Sequence, residues 1–309
     1  MNQPELYALL GEATASLRAF YPHMGPAIQE TGLGNVFGAV LLIRAAEPDA
    51  LTADDFFYRY PYMARERQSA NLQAAVTAGF AVEVAPGAFR LTETGRAGIE
   101  RVFAAAHDDL AQHTPLPEAE LARMAALLQR LVDASLAAPK PGHKRALRHS
   151  RWTDPGTDAA SLVRIDQYLT DLIAYRDDVH IAAWHGYGTT GEVWETLTML
   201  WRDQAHTAAE LAEKLPFRGH AAETYAQALA DLVARGWLAA DPATPGAFQV
   251  TDQGRAKREE GEEATNRLYF ASWQVLTDSE REELIALLTQ LRDAARAALA
   301  AQEAQAAPA

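Results

Sequence analysis

The chain has 309 residues, 49% of them hydrophobic, no cysteine and a formal net charge of −13; it is long enough for two domains with apolar cores and excludes disulfide staples and thiolate metal sites. No basic segment followed by an apolar stretch opens it, and runs such as Ala39 to Ile43 fall far short of the roughly 20 residues of a membrane span, so a cytoplasmic protein without a membrane partner is expected. The charge is uneven, with 10 Lys/Arg against 16 Asp/Glu in residues 1–138, 5 against 0 in 139–151 and 13 against 25 in 152–309; an acidic chain repels phosphates at long range, so any contact with nucleic acid must be local.

In chain order, a first helix is predicted over about 3–21, and a second from near Gly34, with Val36, Phe37, Val40 and Leu41 at helical spacing. A short helix opens after Thr52, an N-cap residue. The next helix ends at Gly79, suited to the left-handed position after a helix, and would bury Leu72, Ala75 and Val76. Apolar runs at Phe80 to Val84 and Phe89 to Leu91 around Pro86-Gly87 predict a two-stranded hairpin. One helix then starts at Thr92 and another after Leu116, opened by Pro117 and carrying a pairing stripe of Leu121, Met124, Leu128 and Leu131.

Beyond a basic run, the same order is predicted again. A helix over about 160–184 leads to one with Val193, Trp194, Leu197 and Leu200 on a face, then a short helix after Thr207. A helix ending at Gly236 would bury Leu229, Leu232 and Val233, and strands Trp237 to Ala239 and Phe248 to Val250 flank Pro245-Gly246. A helix starts at Thr251, and a last one after Leu276 has the capping box Thr277 to Glu280 and the stripe Leu284, Leu288 and Leu291. The tail from Ala294 to Ala309 is expected to continue this helix and then fray.

The recurrence extends to residues. Gly34 to Phe37 lies on Gly191 to Trp194 at an offset of 157, Ala78 to Phe80 lies on Arg235 to Trp237 at the same offset, and Gly87 to Thr92 lies on Gly246 to Thr251 at 159. Gly95 to Ala97 falls on Gly254 to Ala256 at 159, and Ala126 to Leu131 on Ala286 to Leu291 at 160. Matches in this order, with small insertions at expected loops, predict an internal duplication.

The element order, with Leu91 to Ala97 and Val250 to Ala256 after the hairpins, resembles the MarR family of winged-helix regulators. Members of that family are homodimers with intertwined terminal helices, so the resemblance implies a single-chain, monomeric pseudo-dimer. The expected fold is mainly α with small β-wings: tandem winged-helix domains at 1–138 and 159–309, a basic linker at 139–158, and long helices forming an intramolecular interface. It also implies double-stranded DNA as partner. Family wings usually carry a basic tip, whereas Ala85 to Ala88 and Asp241 to Ala247 hold no Lys or Arg, leaving Arg90 as the nearest cation.

In the first reading helix, Arg65, Arg67, Gln68, Ser69 and Asn71 are donors suited to base edges or phosphates. The second has Arg218, His220, Thr224 and Gln227, but also Glu223 and Asp231, which repel phosphates. Lys140, Lys144, Arg145, Arg148 and Arg151 in the linker serve either to contact a phosphate backbone or as a solvated connection. Tyr21 and His23 in one half, and Tyr168, Tyr175, Trp184 and His185 in the other, are either core packing or, as the resemblance implies, the walls of a pocket for a small aromatic effector.

Asp177, His180 and His185 are the nearest approach to a metal or acid–base group, but His185 falls off the helix face the other two share. Pro61, within Tyr58 to Tyr62, must break the helix just before the reading helix. No phosphate loop, nucleophile elbow or zinc-protease motif is present, so neither an enzyme nor a cofactor is expected. The leading expectation is a DNA-binding transcriptional regulator; the alternative is a winged-helix scaffold that binds a small molecule or protein and no DNA.

Overall fold

The computed structural model describes residues 2–306. Helix α1 (Gln3–Ser16) is opened by a capping box between Asn2 and Glu5 and passes into a 3-10 turn at Leu17–Phe20, so the α-helix is shorter than the predicted 3–21. Helix α2 (Met24–Glu30) has no counterpart among the predicted elements, because only Ala27 on it is buried. Helix α3 (Phe37–Ala46), strand β1 (Leu51–Thr52), α4 (Ala53–Arg59) and α5 (Arg65–Thr77) follow. Strands β2 (Ala81–Ala85) and β3 (Ala88–Leu91) form the hairpin, and the unpredicted β1 joins the free edge of β3 through Leu51 opposite Phe89.

Helices α6 (Glu93–Ala111) and α7 (Glu118–Ala137) come next, and the basic segment folds as α8 (Arg145–Ser150). Then come α9 (Ser161–His185), α10 (Gly191–Trp201), α11 (Ala208–Lys214) and α12 (Ala222–Ala234). The hairpin of β4 (Leu238–Ala240) and β5 (Phe248–Val250) precedes α13 (Asp252–Ala271) and α14 (Asp278–Ala306). Over the described residues the protein is thus mainly helical with two small antiparallel sheets. The fraying expected toward Ala309 lies outside the described residues. Among the described residues no helix is long and apolar enough to cross a membrane.

The recurring Thr and Gly after each hairpin have a mechanical reason. Thr92 Oγ1 accepts from Gly95 N at 3.1 Å and donates to the carbonyl of Gly79 at 2.8 Å; Thr251 does the same with Gly254 at 3.0 Å and Gly236 at 2.7 Å. Each Thr therefore caps a helix and ties it to the glycine that ends the preceding one. Gly79 and Gly236 have φ of +80° and +73°, which only glycine adopts at little cost. A Cβ on Gly95 or Gly254 would stand 2.0 Å from the carbonyl oxygen of Phe80 or Trp237, so the first turns of α6 and α13 lie directly on the backbone just before β2 and β4.

The central core joins α1, α7, α9 and α14. Leu121, Met124, Leu128 and Leu131, and Leu284, Leu288 and Leu291, are fully buried in it, each contributing roughly 1.5–3 kcal/mol of burial. Two further cores flank it, one around Val40, Ile43, Leu72 and Phe89 and one around Trp194, Leu211, Tyr225 and Leu232. Val233, predicted as part of the α12 stripe, is instead 41% exposed; Tyr225 and Ala228 fill the buried face in its place.

Candidate nucleic-acid interface and ligand cavities

Pro61 is buried between α4 and α5, and the short turn it directs sends the chain against the second half. Just before α5, Ala64 N donates to the carbonyl of Arg218 at 2.8 Å. His220 Nε2 lies 3.0 Å from Tyr62 O, and the Tyr62 hydroxyl accepts from Trp184 Nε1 at 2.8 Å. Gly191, at the start of α10, meets the same turn so closely that a Cβ would stand 2.0 Å from the Pro61 carbonyl oxygen. These contacts form a clasp between the turns that lead into α5 and α12. Reading helices docked in successive major grooves stand about 34 Å apart, so the clasped form cannot place the N-termini of α5 and α12 in two grooves at once.

Around the clasp the predicted DNA-reading residues divide. Arg65, Arg67 and Ser69 on α5, and Arg90 on β3, are exposed. Arg65 pairs with Asp54 at 3.0 Å and lies over the Phe57 ring, and Arg67 reaches the carbonyl of Pro216 at 3.4 Å. Asn71 is half-buried. Gln68 is buried and donates to Tyr60 O at 2.9 Å; it holds the turn and is not placed to reach a base edge. On the other side, Arg218 is engaged by both Glu195 oxygens, with its Nη2 at 2.6 Å from Oε1, and His220 is committed to Tyr62. Thr224 is half-buried and Gln227 exposed, so α12 turns no free cation outward.

The basic segment is neither a solvated linker nor a free phosphate-binding strip. Lys144 is 7% exposed, and its Nζ donates to the carbonyls of Leu136 at 2.6 Å and of Ala138, capping the end of α7. Burial pulls its pKa down, and Arg148 adds to this. Arg145 pairs with Asp55 and covers the Tyr58 ring. Arg151 pairs with Asp171 at 2.7 Å and with Asp154. Asp178 on α9 accepts from Ala146 N and Leu147 N, each at 2.9 Å; burial nevertheless pushes its carboxyl up to about 6. Only Lys140 and Arg148 of the five predicted cations remain exposed.

Two cavities lie along α9, on either side of Asp177. One, of about 210 Å³, is mostly apolar and bounded by Leu41, Phe103, Trp152, Ile173 and His149. His149 Nδ1 has no partner among the described residues, and burial, with Arg59 and Arg145 nearby, pushes the imidazole down to about 4. The other, of about 350 Å³, is polar: Arg176, Arg202, Arg218 and Arg258 line it with Asp177, Glu195 and Glu262, together with Tyr7, Tyr62, His180, Trp194 and Thr198. His180 lies 3.2 Å from Thr265 Oγ1 and is pushed down to about 4 by burial against the opposing pull of Glu262. Asp177 is held by Arg59 at 3.1 Å.

None of the six aromatic-cluster residues predicted for a ligand site lines these two cavities. Tyr168, Tyr175 and Trp184 are core residues at 2%, 0% and 1% exposure. Tyr21 is half-buried, and burial pushes it up to about 12; His23 is exposed and bonded to Asp109 at 2.7 Å; His185 is an exposed helix end against Tyr58. Among the described residues no group of three His, Asp or Glu converges as metal ligands: Asp177 faces Arg59 and His180 faces Thr265. The cavity arginines were missed because their partners come from distant segments. One signal did exist: Gly261 sits inside the charged helix α13, where glycine costs about 1 kcal/mol, and a Cβ there would stand 2.7 Å from the Trp194 ring.

Short helices leading to a reading helix and a hairpin define a helix-turn-helix protein. The pattern of the Helix-turn-helix family matches residues 67–302, most of the chain, and the protein belongs to that family. No curated protein and no solved structure matches it.

Proposed function

We propose that this is a ligand-responsive DNA-binding regulator, built as a single-chain pseudo-dimer of winged-helix units, that reads DNA through its first unit alone. The carrying observation is the asymmetry at the clasp: Arg65, Arg67 and Ser69 stay exposed on α5, whereas Arg218 and His220 before α12 are spent on Glu195 and Tyr62. Phosphate contacts position such a protein and base-edge donors specify its site; α5 and Arg90 supply both, and α12 supplies neither. The recurring element order and the paired Thr–Gly contacts support the duplicated architecture.

Ligand control follows from shared residues. Tyr62, Glu195 and Arg218 belong both to the clasp and to the polar cavity. A ligand that changes how Arg218 divides itself between Glu195 and the cavity changes the support of the α5 N-terminus, and a ligand shifts an equilibrium only by its differential affinity for the two states.

Site selection from random duplexes followed by footprinting tests the reading. A single protected half-site is expected, without a second copy one helical turn away; two half-sites spaced by about 10 bp would refute the one-unit mode. The scaffold reading, favoured by the Arg65–Asp54 pair and by the net charge of −13, predicts that no duplex is retained even at low salt.

A further inference from the structure

The charge of the polar cavity does not balance. Arg218 is neutralised by Glu195. Glu262 serves two guanidinium groups, Arg258 at 2.7 Å and Arg176 at 3.3 Å. Asp177 is engaged by Arg59, which lies outside this cavity. Arg202, exposed where α10 ends, has no carboxylate partner among the described residues. His180 adds no negative charge, and its imidazole proton is spent at Nδ1, because Thr265 Oγ1 donates to Gly261 O at 2.7 Å and so accepts from His180 at 3.2 Å. With Asp177 offset by Arg59 from outside, the four lining guanidinium groups face only two further carboxylates, Glu195 and Glu262, a surplus of two positive charges inside a protein of net charge −13.

Apart from Arg202, the lining cations are largely shielded from solvent. Arg258 is 1% exposed, held between Trp194 and Trp201, with its Nε donating to Thr198 Oγ1 at 2.9 Å. Arg176 lies over the Tyr7 ring, and its Nε is buried with no acceptor. Trp194 is 1% exposed, and its Nε1 likewise has no acceptor. Buried charges and donors left without partners each cost on the order of 1–3 kcal/mol or more, and here the unmet groups are cations and donors. What would satisfy them is an acceptor-rich group carrying about two negative charges, and guanidinium forks match carboxylate and phosphate oxygens in geometry.

We propose that the polar cavity is a site for a doubly charged oxyanion, a phosphomonoester or a dicarboxylate, with Arg202 at the mouth and Arg176 and Arg258 inside. This rests on the reading that the cavity is the ligand site, and it excludes neutral aromatics and monoanions as preferred occupants. Arg202 contributes to affinity without contributing to the core, so it separates binding from folding.

The test is titration of the full chain with inorganic phosphate, succinate, acetate and indole at pH 7.5 and constant ionic strength, followed by tryptophan fluorescence and calorimetry. Phosphate or succinate is expected to bind at least tenfold more tightly than acetate, and R202Q to weaken that binding at least tenfold while melting as the wild type does. Binding of phosphate alone assigns a phosphomonoester, and of succinate alone a dicarboxylate; either supports the proposal. Equal binding of acetate, or an R202Q protein that binds like the wild type, overturns it. Binding of indole without any dianion preference overturns it too but leaves the cavity as a ligand site, whereas no binding by any of the four overturns both.

Discussion

Replacing Gly191 by Ala tests the clasp at its closest point. The added Cβ would lie 2.0 Å from the carbonyl oxygen of Pro61, 2.4 Å from its carbonyl carbon and 2.9 Å from Tyr62 N. All three are backbone atoms, so no side chain can swing aside. Ordinary contact distance requires a retreat of more than an ångström, and overpacking of this kind costs about 1–3 kcal/mol. The retreat would also stretch the 2.8 Å bond from Ala64 N to Arg218 O and the 3.0 Å contact of His220 with Tyr62, each worth about 1 kcal/mol. Alanine's better helix propensity returns at most about 1 kcal/mol, leaving a net loss of about 2–4 kcal/mol. Urea unfolding followed by tryptophan fluorescence reads this, since Trp184 donates to Tyr62 within the clasp. Gly186→Ala is the control, because a Cβ there meets nothing within 4 Å, and it should change stability by less than about 0.5 kcal/mol. If the two variants unfold alike, the clasp is not a packed interface.

Other outcomes follow from the same contacts. Gly254→Ala, with its Cβ 2.0 Å from Trp237 O, should cost about 1–3 kcal/mol in the same unfolding assay; a neutral result would contradict the close seating of α13 on the backbone at Trp237. Lys144→Met removes the donor that caps α7 and should destabilise by about 1–3 kcal/mol while leaving the salt dependence of DNA binding unchanged, as measured by anisotropy; a changed salt dependence would return the basic segment to the DNA interface. His149, with its pKa pushed down to about 4, binds fewer protons folded than unfolded below about pH 6.5. The stability it confers is therefore complete above that pH and is lost as pH falls toward 4, by up to about 3 kcal/mol. Asp178, pushed up to about 6, opposes this trend, so the comparison is between wild type and His149→Leu, which should lose less stability on acidification; identical pH profiles would refute the assignment.

Local rules carried most of the fold. Thr52, Thr92, Thr207 and Thr251 cap the helices they were expected to open, and Gly79 and Gly236 take the left-handed conformation expected of them, because capping and glycine chemistry depend on neighbours within a few residues. The leucine stripes of α7 and α14 are buried as their spacing required. What remained hidden depends on contacts across the chain. The basic run reads as solvated or DNA-facing until Asp178, 32 residues after Ala146, and Asp55, 90 residues before Arg145, are brought to it. Gln68 has the chemistry of a base reader, and only the fold shows its amide spent on Tyr60. The cavity arginines are scattered over α9, the end of α10, α13 and the turn before α12, so no spacing announces them, and of the conspicuous aromatic residues Tyr168, Tyr175 and Trp184 went into the core.

DNA reading through the first helix is tested most directly by the salt dependence of binding, measured by fluorescence anisotropy on pooled genomic fragments between 50 and 200 mM salt, about the range over which counterion release is resolved. With Arg65, Arg67 and Arg90 as the phosphate contacts, the logarithmic slope should be about −2.7, an affinity loss of about 40-fold over that range. In the Arg65→Gln, Arg67→Gln double variant the slope should fall to about −0.9. No binding at the lowest salt, or a slope that the double variant leaves untouched, would contradict reading through the first helix.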